Sequence, residues 1–106
     1  MWSVETLNAA VDAEIEALPV DMRARLVRVS SIIEAVGCQG LPSDTVKHLE
    51  GKLWELRIRG KDGIARAIYV TATGQRIVIV HAFVKKTQKT PKRELELARQ
   101  RAKEVT

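Results

Sequence analysis

The chain has 106 residues, room for one domain over 1–106 and too little for two. The single cysteine, Cys38, excludes an internal disulfide and a cysteine-based zinc cluster, and no apolar run nears the ~18 residues of a membrane span. Its net charge of +5 is unevenly spread. Residues 1–45 carry three basic side chains against seven acidic ones (net −4), residues 46–80 seven against three (+4), and residues 81–106 eight against three (+5). That gradient suggests a polyanion such as nucleic acid, or an acidic protein partner; the plainer reading is a basic, solvated surface. Without a charged-then-apolar leader, the expected location is cytoplasmic.

Trp2 to Leu7 alternates in the manner of a short strand. Asn8 can cap a helix in which Val11, Ile15 and Leu18 recur at helical spacing, and Pro19 ends it. Asp21 is the expected cap of a second helix with the apolar stripe Met22, Leu26, Val29, Ile33 and Val36, and Gly37 is its terminator. Two helices joined so briefly should form an antiparallel hairpin. Cys38 to Thr45 reads as a loop.

The period then changes to two. Leu53–Arg59, Ile64–Thr71 and Arg76–Val84 are three predicted strands, joined by the short turns Gly60–Gly63 and Ala72–Gln75 into an antiparallel meander. Ile77–Val80 is apolar at every position, so the third strand should be covered on both faces. Thr90-Pro91 opens the last helix, with Leu95, Ala98, Ala102 and Val105 as its apolar stripe. The order β-α-α-β-β-β-α describes an α+β domain. Its twisted, mainly antiparallel sheet should carry the N-terminal helical hairpin on one face and the C-terminal helix at its edge.

No glycine-rich phosphate loop, metal-ligand spacing or nucleophile–histidine–carboxylate set is present, so neither metal nor cofactor is expected. The stretch Phe83-Val84-Lys85-Lys86-Thr87-Gln88-Lys89-Thr90-Pro91 takes an apolar strand into three lysines and then to a helix start, a means of holding a phosphate. Arg66 stands in an otherwise apolar strand and needs an anion. Glu55 on the neighbouring strand would make it structural; a substrate phosphate would make it a clamp. Arg57 and Arg59 share one side of their strand and can extend a cationic surface. His81, expected on a face with Ile77, Ile79, Phe83 and Lys85, is either a satisfied rim histidine or a proton-transfer group. Tyr69 can pack its ring while its hydroxyl reaches a polar rim. Trp2 and Trp54 read as core packing, and His48 as a surface residue.

Two blocks carry a family resemblance: Lys47-His48-Leu49-Glu50-Gly51-Lys52-Leu53-Trp54-Glu55-Leu56-Arg57, and, after Arg66 and Tyr69, Phe83 to Pro91 with Glu94 and Ala98. Together they resemble the phage-derived, HigB-like branch of the RelE/ParE toxins, over nearly the whole chain and in the same element order. The resemblance implies the toxin of a type II toxin-antitoxin system, neutralised by a cognate antitoxin that commonly carries a helix-turn-helix domain. For the nuclease members it implies a metal-independent endoribonuclease that inhibits translation by cutting mRNA on the ribosome, with the ribose 2′-hydroxyl attacking the adjacent phosphate. The superfamily also contains gyrase poisons, and a non-enzymatic nucleic-acid-binding accessory protein is a third reading.

On this chain Arg66 matches the family's central-strand arginine, and Lys85 with Lys86 its basic residues at the exit of the last strand. Arg57, Arg59, Tyr69, Lys89, Lys92 and Arg93 are the expected RNA contacts. Several RelE-type enzymes have a tyrosine or histidine near the C-terminus for proton transfer, and after Phe83 this chain has neither. The role then falls to His81, to Tyr69, or to a lysine made less basic by its cationic neighbours.

Overall fold

The computed structural model describes residues 1–85 and 89–105. The period-two segments become β3 (Leu53–Gly60), β4 (Gly63–Ala72) and β5 (Arg76–Lys85), preceded by β1 (Ser3–Thr6) and β2 (Val46–Glu50). The β4–β5 reversal uses Gly74 and Gln75 at positive φ (85° and 59°), the twist that a tight hairpin favours. The five strands form one sheet in the order β1-β5-β4-β3-β2, antiparallel except for the parallel pair β1–β5.

The strand β2 is an addition to the expected order. It is a five-residue edge strand that is mostly polar, paired with β3 through Val46↔Leu56 to His48↔Trp54. Trp54 is also not a core residue: it lies half exposed on the sheet, tilted against the His48 ring at 4.8 Å.

Helices α1 (Ala9–Glu16) and α2 (Val20–Val36) cover one face. Asn8 caps α1 as expected, its side-chain oxygen accepting from the Val11 N–H at 3.1 Å. The start of α2 differs. Pro19 occupies the cap, and Asp21 lies inside the first turn, where it accepts from the Met22 N–H (2.9 Å) and from the Lys61 N–H of the β3–β4 turn (2.7 Å). α2 lies close on β3: a Cβ at Gly60 would stand 2.6 Å from Met22 Cγ. Val11, Leu18, Met22, Leu26, Val29 and Ile33 pack here on Leu56, Ile58, Ala65, Ala67, Tyr69, Ile77 and Ile79.

The C-terminal helix α3 (Lys92–Ala102) does not sit at the sheet edge. Ala98, with Leu95, Ala102 and Val105 beside it, lies on the second face over Leu53, Ile68, Val70, Val78 and Val80. The sheet is therefore covered on both sides, which explains why β5 is apolar at every position from Ile77 to Val80.

A β-bulge sets which residues of β5 face which layer. Ile68 pairs with His81 but Tyr69 with Ile79, so Val80 is an extra residue in β5. Before the bulge, Ile77 and Ile79 face the α1–α2 layer and Val78 faces α3. After it, His81, Phe83 and Lys85 share the α3 side. The expected grouping of His81 with Ile77 and Ile79 is thus wrong, because strict alternation stops at Val80.

Candidate functional site

The α3 helix covers only part of the second face. Past its N-terminus the sheet register lines up Arg57↔Arg66↔Phe83, with Glu55 two residues before Arg57 and Lys85 two residues after Phe83. All of these side chains point to the same side. Glu55 is completely buried, with Arg66 and Lys85 at 2% and 5% exposure.

Glu55 is the centre of the cluster. Its Oε1 accepts from Arg66 Nη1 and from Arg57 Nε (3.3 Å), and its Oε2 accepts from the Thr90 hydroxyl at 3.1 Å. Of the Thr90-Pro91 pair that opens α3, Pro91 takes the cap position, and the Thr90 side chain ties the approach to α3 onto the sheet. The carboxylate reading of Arg66 therefore holds, yet Arg66 also faces Lys85.

Lys85 Nζ is buried and has no hydrogen-bond partner among the described residues. Its ammonium is pushed down to about 8, first by burial and then by the Arg66 guanidinium; Glu55 opposes the shift, and Lys47 and Arg57 add to it. Lys47 enters because β2 pairs it directly with Glu55. Among the described residues Arg57, Arg66 and Lys85 thus surround a single carboxylate, leaving positive charge in excess at a largely desolvated corner. Such a corner suits an anion with several oxygens.

The other predicted residues divide. Lys86 lies outside the described residues. Lys89, Lys92 and Arg93 are exposed at the approach to α3 and in its first turn. Arg59 is exposed at the end of β3, 3.8 Å from Asp44. Tyr69 does not belong to this surface: it faces the α1–α2 layer, buried in that core with its hydroxyl 3.7 Å from Cys38 Sγ. Burial, with the Cys38 thiol beside it, pushes that phenol further up.

His81 is on the same sheet face as Lys85 but about 13 Å along the strand from it, at ~3.3 Å per residue, with Phe83 between. Its Nδ1 is 2.9 Å from Glu14 Oε1, its Nε2 is 3.1 Å from Glu94 Oε2, and its ring stacks on Phe83. This group completes the β5 edge where β1 stops. Glu14 accepts from the Ala82 N–H (3.1 Å), and Arg101 donates to the Val80 carbonyl (2.9 Å). His81 is held in a clamp between α1 and α3, away from the Arg66–Lys85 corner. Among the sequence signals, Thr90, Lys47 and the Glu14–Glu94–Arg101 set were missed. Only strand register and helix placement bring them in.

Among the described residues no group of histidine, cysteine and carboxylate side chains could hold a metal, and no helix is long and apolar enough to cross a membrane. An α+β domain with a five-stranded mixed sheet, three helices and a cationic corner is compatible with the small toxin-like proteins. A model of the phage-derived Gp49-like protein family matches residues 13–103, and the chain belongs to that family, which is toxin-like and related to the RelE/ParE superfamily. No curated protein matches the sequence.

Proposed function

We propose that this protein is the HigB-like toxin of a type II toxin-antitoxin system, a ribosome-dependent mRNA endoribonuclease neutralised by a cognate antitoxin. The observation that carries the reading is Lys85, a buried ammonium beside Arg66 and Arg57 without a hydrogen-bond partner among the described residues. A phosphodiester entering this corner supplies the missing acceptor.

In the proposed reaction the ribose 2′-oxygen forms a bond to the adjacent phosphorus and the bond to the 5′-oxygen breaks. The products are a 2′,3′-cyclic phosphate and a 5′-hydroxyl. Arg66 and Arg57 stabilise the negative charge that builds on the non-bridging oxygens, where preorganised cations contribute most. Of the three proton-transfer groups the sequence offered, Tyr69 faces the other layer and His81 is clamped by carboxylates. Lys85 is the remaining one. With its ammonium at about 8, it holds a proton near neutrality and releases it to the leaving 5′-oxygen more readily than an ordinary lysine. The proton of the 2′-hydroxyl passes to solvent.

Mapping mRNA 5′ ends after brief induction tests this. New ends inside translated frames, lost in Lys85→Met and Arg66→Ala, are the expected result. Intact message with a DNA-damage response would instead mark a gyrase poison, and undisturbed growth a non-toxic accessory protein.

A further inference from the structure

A second basic feature lies on the α2 side of the sheet, and Arg57 borders both it and the Lys85 corner. Between α2, the 41–45 loop and the far end of β3 runs a groove of about 860 Å³. Its floor is apolar, made by Val29, Ile32 and Leu41. Its rim is basic: Arg25 and Arg28 project from α2, and Lys61 from the β3–β4 turn.

None of these three cations has an ion-pair partner among the described residues. The groove's two carboxylates do not neutralise them. Asp21 accepts from two backbone N–H groups, and Asp44 leans toward Arg59.

The groove also contains a short piece of sheet edge that no strand pairs among the described residues. β2 begins at Val46, opposite Leu56, and the Arg57 N–H is met by the Thr45 carbonyl at 2.8 Å. Strand alternation places the Arg59 N–H and carbonyl on that same edge, one pleat further on, where β2 has no residue.

We propose that this groove docks an extended, acidic segment of a protein partner, in which carboxylates alternate with aliphatic side chains. The segment's backbone pairs with the Arg59 edge, its aliphatic residues cover Val29, Ile32 and Leu41, and its carboxylates meet Arg25, Arg28 and Lys61. Single-stranded nucleic acid fits less well, because no aromatic residue lines the groove to stack a base and its floor is aliphatic. The proposal stands whether or not the protein cuts RNA.

The test titrates the full-length, ¹⁵N-labelled protein with a blocked peptide of alternating Glu and Val, and separately with its Lys-for-Glu counterpart and with oligouridylate. The acidic peptide should shift the amides of Arg25, Arg28, Arg59 and Lys61. Its affinity should fall at least tenfold in Arg25→Glu/Arg28→Glu, whose exposed positions leave the unfolding midpoint unchanged; Lys61→Glu serves as an independent variant. Shifts confined to the Lys47–Lys85 face, equal binding of the basic peptide, or oligouridylate displacing the acidic peptide from these amides would each overturn the proposal.

Discussion

Arg66 and Lys85 reach the same corner of the second sheet face and share one carboxylate, Glu55. Among the described residues two buried cations and the half-buried Arg57 therefore answer to a single buried anion. A desolvated positive excess is costly to fold around, and function is the natural reason for retaining it.

Replacing Lys85 by Met should stabilise the protein at neutral pH by on the order of 1–3 kcal/mol, since an unpartnered ammonium is exchanged for a thioether of similar length. Toxicity should vanish in the same variant. Urea unfolding and plating of inducible clones read the two effects; a loss of stability would mean that Lys85 has a stabilising partner.

The same residue sets an alkaline signature. Below about pH 8 Lys85 is charged whether folded or unfolded, and the burial penalty is present in full. Between about 8 and the ordinary lysine value of 10.5 the unfolded chain keeps a proton that the folded chain has lost, so stability rises with pH. Against Lys85→Met, the wild-type deficit should shrink across that window. A deficit constant from pH 7 to 10.5 would contradict the depressed ammonium.

Glu55→Gln leaves Arg57, Arg66 and Lys85 with no carboxylate among them. It should destabilise by about 3–5 kcal/mol, the range for breaking a buried pair. Inorganic phosphate should then raise the melting temperature of Glu55→Gln more than that of the wild type, at matched ionic strength. Equal shifts would show that the corner does not take an anion.

Tyr69→Phe should remain fully toxic, with an unfolding free energy within about 1 kcal/mol of the wild type, because only a weak contact to Cys38 is lost. Loss of toxicity with folding intact would return Tyr69 to the catalytic surface.

Burial alone would raise the Glu14 carboxyl, but hydrogen bonds from His81, the Ala82 N–H and Arg101 outweigh it and hold the group below the usual range. The stability it contributes is present above the ordinary carboxylate pKa and is lost as pH falls through the lower folded value. Glu14→Gln should flatten the acid limb of the stability curve and speed exchange of the Ala82 amide. An unchanged exchange rate would mean that α1 does not protect the β5 edge.

The hydrophobic period made β3, β4, β5 and all three helices legible in the sequence, and Arg66 and Lys85 could be named from residue type alone. The remainder depends on placement. Val46–Glu50 is short and mostly polar, and becomes a strand only because β3 offers it an edge. The stripe Leu95, Ala98, Ala102 and Val105 shows that α3 is buried on one side, but not on which face of the sheet. Tyr69, three residues from Arg66 on β4, is turned away from it by simple alternation. The face of His81, by contrast, hinges on a register that no local pattern records, and Val80-His81 contains neither glycine nor proline to mark the bulge.

That one supernumerary residue is slack in the strand. Removing Val80 would restore strict alternation yet keep Ile68 opposite His81 and Tyr69 opposite Ile79, so His81, Phe83 and Lys85 would stay on the α3 side. The facing of the corner thus tolerates the loss of one codon at this point in the gene, whereas a regular strand of the present length would send His81, Phe83 and Lys85 to the α1–α2 layer.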